Sequence, residues 1–415
     1  MRVSRDIDSL VLTTSVLLCI IGLSLIYSVF HPAQSGFSQD VDYQYFNRQL
    51  IWVCFGIVAM LIGFAVPVRY FEALAYLYYL FCVVLLVVVL FAGSGDTAQR
   101  WISIGPMRLQ PSELAKIALL FVWGRVLSGH MGGMDRAKKM FASIGLLLVP
   151  FLLVLRQPDL GTAIILLVML LPVLYWRGLR GRQIFFIISP VVAGVLIIYC
   201  GQILKHSWPF GVYIVLIFVV AYMGRSNPRE SITLVVANLG VGFVGPIILN
   251  HLKPYQQSRI STFLNPESER LGAGWQVFQS KIAIGSGGLS GKGFLEGTQK
   301  ALEFLPAKHT DFVFSVLGEE MGFAGALLVL VLFAVLVSRA LAIAVKAKGQ
   351  FASTVCIGIA AYFFFQTFIN IAMVTGMAPV TGIPVPFLSY GGSSLVVSCF
   401  LVGFLLNCSV KWYEY

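Results

Sequence analysis

Five short motifs hold most of the groups in this chain that could grip a phosphate, move a proton or bind a cation. They are Gln99-Arg-Trp101, Gln110-Pro-Ser-Glu-Leu-Ala-Lys116, Arg156-Gln-Pro-Asp-Leu-Gly-Thr162, Leu305-Pro-Ala-Lys-His-Thr-Asp-Phe312 and Gly318-Glu-Glu320. Each lies in or beside an apolar run, where a charged residue costs about 2.5–3.5 kcal/mol on insertion scales and persists chiefly where it has a task. Asp311 stands where a polar stretch gives way to an apolar one. That position suits a general base, or an oxygen ligand for a divalent ion on a phosphate-bearing substrate. Partial burial would raise the pKa of such a carboxyl, and Lys308 and His309 would oppose the rise. The competing reading is a helix-start acid set against an N-terminal dipole.

Glu113 and Lys116 are three apart, on one face of a helix that Pro111 would open. Either they form an ion pair, or Lys116 meets a phosphate at the outer surface. Asp159 caps the helix that follows it, or pairs with Arg156 or Lys116. Trp101, after Arg100, reads as an interfacial aromatic anchor. Gly382-Ile-Pro-Val-Pro-Phe-Leu-Ser-Tyr-Gly-Gly-Ser-Ser394 sets two prolines and a glycine pair ahead of the last apolar run. Such a broken backbone is tolerated at membrane depth only where protein or water satisfies its polar groups. The glycine-rich run Gly285–Gly293 lacks Walker spacing, because Ser286 and Gly293 occupy the two deciding places. It reads as flexible or close-packed backbone, with Lys292 turned to an anionic headgroup as a further option. The sequence contains no metal-ligand cluster, no Ser/His/Asp arrangement and no dinucleotide fingerprint.

The elements that must position these residues are apolar. The composition is 58% hydrophobic and 11% charged, against about 25% charged in a soluble domain, which excludes a soluble globule of this length. Apolar segments lie near 10–30, 49–67, 74–93, 113–129, 141–156, 161–176, 183–201, 209–223, 232–250, 313–338, 351–375 and 389–410. Each approaches the ~20 residues that cross a bilayer core. The fold class expected is an all-α polytopic membrane protein of about twelve transmembrane helices, one integral membrane domain over residues 1–415. All seven cysteines fall in apolar runs and read as small buried hydrophobes. With both termini cytoplasmic, the inner segments hold more than half of the 29 basic residues, so the +11 charge is a topology signal with some attraction to anionic lipid, not a nucleic-acid footprint. The long polar segment 251–311 then lies outside the cytoplasm, and its apolar run from Trp275 to Ile284 is expected to fold against the bundle.

Taken in order, QRWISIG, RLQPSELAK, QPDLGT, GSGGLSGKGF, LEFLPAKHTDFVFSVLGEE and PFLSYGGSS resemble the SEDS (shape, elongation, division and sporulation) family of peptidoglycan glycosyltransferases, along nearly the whole chain. The resemblance implies polymerisation of lipid II into glycan strands at the outer face of a bacterial cytoplasmic membrane. The implied partners are lipid II, the nascent strand, membrane lipid and a class B penicillin-binding protein that cross-links the product. The elongation (RodA) branch fits best, through the loop wording LGAGWQVFQSKIAIGSGGLSGKG and through Thr381, where the division (FtsW) branch typically carries Lys. Two departures stand out. Residues 183–250 hold three spans where the ten-span family has one, and Asn265-Pro-Glu-Ser-Glu-Arg270 differs from the Asp-rich wording common in relatives.

By the same resemblance Asp311 is the base on the acceptor hydroxyl, directly or through Mg²⁺ or Mn²⁺. Arg100 and Lys116 are candidates for the departing pyrophosphate, on which charge grows in the transition state. Trp101 would shape the donor groove, and Glu113, Asp159, Lys308, His309 and Ser393 join them as substrate-binding candidates. A flippase or transporter of lipid-linked precursors is the rival class, and it would place functional charge near the bilayer midplane. Here the ionisable motifs gather at outer span ends. A purely structural scaffold would leave Asp311 without a task.

Overall fold

In lipid a backbone must satisfy its own amides, and a chain of long apolar runs does so by forming helices. The computed structural model describes residues 7–30, 43–93, 100–104, 107–129, 136–179, 181–201, 206, 208–223, 228–251, 257, 259, 261–263, 273–298 and 309–410. Each of the twelve apolar segments coincides with a helix: α1 (Ser9–Phe30), α2 (Tyr43–Ala65), α4 (Ala75–Ala92), α5 (Pro111–Leu127), α6 (Arg136–Arg156), α7 (Leu160–Trp176), α8 (Gly181–Tyr199), α9 (Trp208–Met223), α10 (Pro228–His251), α12 (Val313–Lys346), α13 (Gln350–Val374) and α14 (Gly392–Val410). Among the described residues eight helices are long and apolar enough to cross a bilayer, while α7 and the apolar stretches of α9 and α10 are shorter. The fold is an all-α polytopic membrane fold. Three further elements punctuate it: a short helix α3 (Val68–Ala73), a helix α11 (Ala273–Ser286) within the long polar segment, and a two-stranded hairpin of β1 (Ile102–Ile104) and β2 (Met107–Leu109). The hairpin pairs antiparallel with Ile102 opposite Leu109. Strands of three residues are too short to leave a period-2 pattern in the sequence.

The described chain forms two compact units, Met1–Arg177 with Gln276–Tyr415, and Gly178–Trp275. In the first, α5, α13 and α14 form the interior. Nearly every residue of α5 is buried, and α13 and α14 are 67% and 72% buried over their apolar windows, against 17% for α2 and 22% for α4. The outer helices present the remaining apolar surface to lipid. Small residues and amides draw the helices together, as expected where lipid supplies no hydrophobic drive. On α14, Gly403 lies so close to α2 that a Cβ there would meet the Met60 carbonyl at 2.0 Å. One turn on, Asn407 Nδ2 donates to the carbonyls of Gly63 (3.0 Å) and Val66 (2.6 Å) at the end of α2. On α11, Ser280 Oγ donates to the Val374 carbonyl (2.7 Å) and lies 2.6 Å from Ser315 Oγ, so this part of the polar segment packs on α12 and α13.

The second unit contains α8, α9 and α10, which pack against one another. Its apolar centre is Ile217, Ala221 and Leu234. Beside it Asn238 Nδ2 donates to Ser189 Oγ at 3.1 Å and to the Leu234 carbonyl at 2.8 Å, and the Tyr213 hydroxyl donates to the Ser189 carbonyl at 2.7 Å.

Candidate active site

Two prolines and the glycines flanking them prevent the stretch between α13 and α14 from forming a helix, and its backbone groups must find other partners. They find them on α13, within the stretch itself and at His309. Asn370, fully buried on α13, donates through one Nδ2 to the Ile383 carbonyl (2.6 Å) and to the Asp311 carbonyl (2.8 Å). One turn earlier, Gln366 Nε2 donates to the Pro384 carbonyl at 3.0 Å. The Val385 amide donates to Ser389 Oγ (2.8 Å), and the Tyr390 amide to the His309 carbonyl (2.8 Å). Within this stretch Phe387 takes φ 63°, a left-handed conformation that costs a bulky residue about 1–3 kcal/mol. Burial of its ring, stacked on Phe363 at 5.6 Å, offsets that strain.

Asp311 is half-buried in the turn before α12. Its neighbour His309 lies among the rings of Phe30, Tyr45 and Tyr390, at centroid distances of 5.5, 5.4 and 5.7 Å. Lys308 lies outside the described residues.

A second cluster joins the hairpin to the tight α6–α7 connection. Arg100 Nε donates to the Gln157 carbonyl at 3.2 Å and its Nη2 to the Pro158 carbonyl. Asp159 caps α7, accepting from the Thr162 amide (3.2 Å) and hydroxyl (2.8 Å), and also accepts from Gln110 Nε2 at 3.0 Å. The capping alternative for Asp159 is therefore the one realised. The backbone amide of the same Gln110 donates to Ser393 Oγ at 3.0 Å. Arg100, Asp159 and Ser393 thus belong to one network, with Trp101, half-buried beside β1, adjoining it in sequence.

Glu113 and Lys116 form a salt bridge of 2.6 Å, with relative exposures of 2% and 1%. Lys116 Nζ also donates to Gln366 Oε1 at 3.4 Å and sits 5.4 Å from the Tyr362 ring centre. As it stands the pair is internal, and a substrate phosphate reaching Lys116 would have to compete with Glu113. Through Gln366 the pair connects to the broken stretch, which Asn370, one turn on along α13, ties to the Asp311 backbone.

The Gly-Glu-Glu motif has a different job from the rest. Helix α12 breaks at Gly322 (φ 64°), and the glycine-rich run after α11 docks onto the break. Amides of Lys292 and Gly293 donate to the Glu319 and Glu320 carbonyls at 3.0 and 3.1 Å, and a Cβ on Gly291 would lie 2.1 Å from the Glu320 carbonyl. Lys292 Nζ bonds Glu319 Oε1 at 2.8 Å, joined there by the Thr298 amide and hydroxyl. Ser28 Oγ donates to Glu320 Oε1 at 2.5 Å. Close packing is what this glycine run provides, and Lys292 is turned to Glu319 rather than to a headgroup. The sequence reading gave Gln110 no role of its own within its motif and missed Gln366 and Asn370, both on α13. The signal for the last two was present, as amides four apart inside the apolar run AYFFFQTFINIAM.

Three comparisons bear on what such a site belongs to. The family model described as "Cell cycle protein" (FtsW, RodA and SpoVE) matches residues 8–210 and 207–414. The peptidoglycan glycosyltransferase MrdB of Escherichia coli is 36% identical over 404 residues, covering 97% of this chain and 94% of MrdB. The peptidoglycan glycosyltransferase RodA of Treponema pallidum is 32% identical, covering 98% of both chains. A solved chain from work on the structural coordination of polymerization and crosslinking by a peptidoglycan synthase complex superposes with a TM-score of 0.71 at 27% identity, over 99% of both chains. With a family model running almost end to end and curated relatives above 30% identity over nearly the full length, this chain belongs to the FtsW/RodA/SpoVE family of cell cycle proteins.

Proposed function

We propose that the chain is a peptidoglycan glycosyltransferase that polymerises lipid II into glycan strands during cell elongation. The carrying observation is the seating of Asp311: a half-buried carboxylate at the start of α12, its backbone tied by Asn370 to the broken stretch that also engages His309. The names borne by MrdB and RodA support the reaction class. The 4-hydroxyl of a lipid II GlcNAc attacks the anomeric carbon of the growing chain's MurNAc. The new glycosidic bond forms as the bond to the pyrophosphate oxygen breaks, inverting the centre and releasing undecaprenyl pyrophosphate. The hydroxyl proton passes to the Asp311 carboxylate. A rigid backbone around the base fits a reaction that depends on in-line approach.

Among the described residues no three His, Cys, Asp or Glu side chains converge as a metal cluster. A single carboxylate still fits Mg²⁺ or Mn²⁺, because such ions keep several waters and take further oxygens from substrate phosphates. Asp311 would hold the ion, which would neutralise charge on the pyrophosphate. Arg100, Trp101, Glu113, Lys116, Asp159, Lys308, His309 and Ser393 remain the proposed substrate-binding set, with the Glu113–Lys116 pair acting from beneath the site. The protein would lie in the cytoplasmic membrane with both termini inside, and the synthase complex of its structural relative supports a class B penicillin-binding protein as partner.

Asp311→Asn tests the assignment. General-base catalysis contributes about 10²–10⁴-fold, so polymerisation should fall by that factor while melting temperature and partner binding hold. Glycan synthesis near the parent rate would remove Asp311 from the mechanism.

A further inference from the structure

At the far end of the first unit, the C-terminal ends of α5 and α7 meet the N-terminal ends of α6 and α13 around an open cavity of about 270 Å³. Helix α13 starts here at Gln350 and reaches Asn370, and so Asp311, about 30 Å away. The polar lining is Gly129, Lys139, Arg177 and Gln350, and none of the described lining residues is acidic. Arg177 is fixed: its Nε donates to Thr354 Oγ1 at 2.6 Å and its Nη2 to the Gln350 carbonyl. Gln350 Oε1 is taken by the Gly129 amide at 2.8 Å. Burial draws the Arg177 guanidinium below its ordinary pKa, a penalty that a bound anion would relieve. The negative C-terminal end of α7, which Arg177 caps through its backbone amide, accounts for a cation at that position. It does not account for Lys139, which sits in the first turn of α6, where the helix dipole disfavours a cation.

The N-terminal ends of α6 and α13 and the C-terminal ends of α5 and α7 offset one another, so the positive character of the cavity comes from the two cations, Lys139 and Arg177, and the remaining lining from α5, α6 and α7 is apolar. The neighbours of that lining in sequence, Phe141 and Tyr175, are exposed as lipid-facing residues would be. We propose that the cavity binds the phosphate headgroup of an anionic phospholipid, held by Lys139 and Arg177, with the acyl chains running out along the apolar sides. Basic pockets between helices bind such headgroups by this combination. The proposal needs only that this end faces an anionic leaflet, and it does not depend on the glycosyltransferase reading.

The test titrates the delipidated full chain, in detergent, with short-chain phosphatidylglycerol, short-chain phosphatidylcholine and inorganic phosphate, counting bound molecules by native mass spectrometry. One phosphatidylglycerol should be held in preference to phosphatidylcholine. Lys139→Gln should weaken it about fivefold, Lys139→Arg should restore it, and Lys346→Gln, outside the cavity, should leave it unchanged. Equal retention of the two lipids, or parental binding by folded Lys139→Gln, overturns the proposal. Inorganic phosphate bound as tightly as phosphatidylglycerol assigns the cavity to a free anion and overturns it too.

Discussion

Lys116 shows how one residue can serve a site it need not touch. Its ammonium lies 2.6 Å from Glu113, and both groups are out of reach of water. Removing one member of a buried pair strands the other, at about 3–5 kcal/mol, whereas replacing both with neutral groups is often close to neutral. Lys116→Met should therefore lower stability by about that amount in detergent denaturation, and Glu113→Gln with Lys116→Met should recover most of it. A single variant as stable as the parent would show that Lys116 is not paired in the working protein. The sequence put both residues on one helix face and left open whether the lysine met Glu113 or a phosphate. Spacing alone cannot choose, because the choice turns on burial, which the rest of the fold decides.

At the scale of elements, the stretch from Gly382 to Gly391 does most of the positioning. Its composition announced a broken backbone, and a broken backbone it is. The partners were not legible, because carbonyls at Asp311, Ile383 and Pro384 meet Asn370 and Gln366 only once α13 has been threaded between them. Likewise the glycine-rich run after α11 read as flexible or close-packed backbone, of which the structure shows the close-packed form, while its dock at the Gly322 break left no periodic trace. Asn370→Leu keeps the volume and removes both hydrogen bonds, each worth about 0.6 kcal/mol in a membrane interior. The fold should survive that loss. Catalysis should not, since a displacement of about 1 Å at a reacting group can cost 10²-fold. The expected signature is a fall in kcat of that order with KM moved little. An unchanged kcat would separate Asp311 from α13.

For the whole molecule, composition and hydropathy gave the fold class, and every apolar run became a helix. The extra apolar runs of residues 183–250 were visible too, yet only the structure shows α8, α9 and α10 closing on one another around Ile217, Ala221 and Leu234. Orientation rests on the asymmetry of basic residues and can be checked directly. Glu296 and Lys138 are both exposed, so cysteines placed at each, in otherwise cysteine-free chains, differ in side rather than in burial. In intact spheroplasts a membrane-impermeant maleimide should label the first and spare the second. The reverse pattern would move the chemistry to the cytoplasm. The most direct measurement is the reaction itself: purified full-length protein with its penicillin-binding partner, given lipid II, with products followed as glycan polymer and released undecaprenyl pyrophosphate. Polymer formed in step with pyrophosphate release is expected. Lipid II left intact by a folded, partner-bound protein would contradict the assignment of this site to glycan polymerisation.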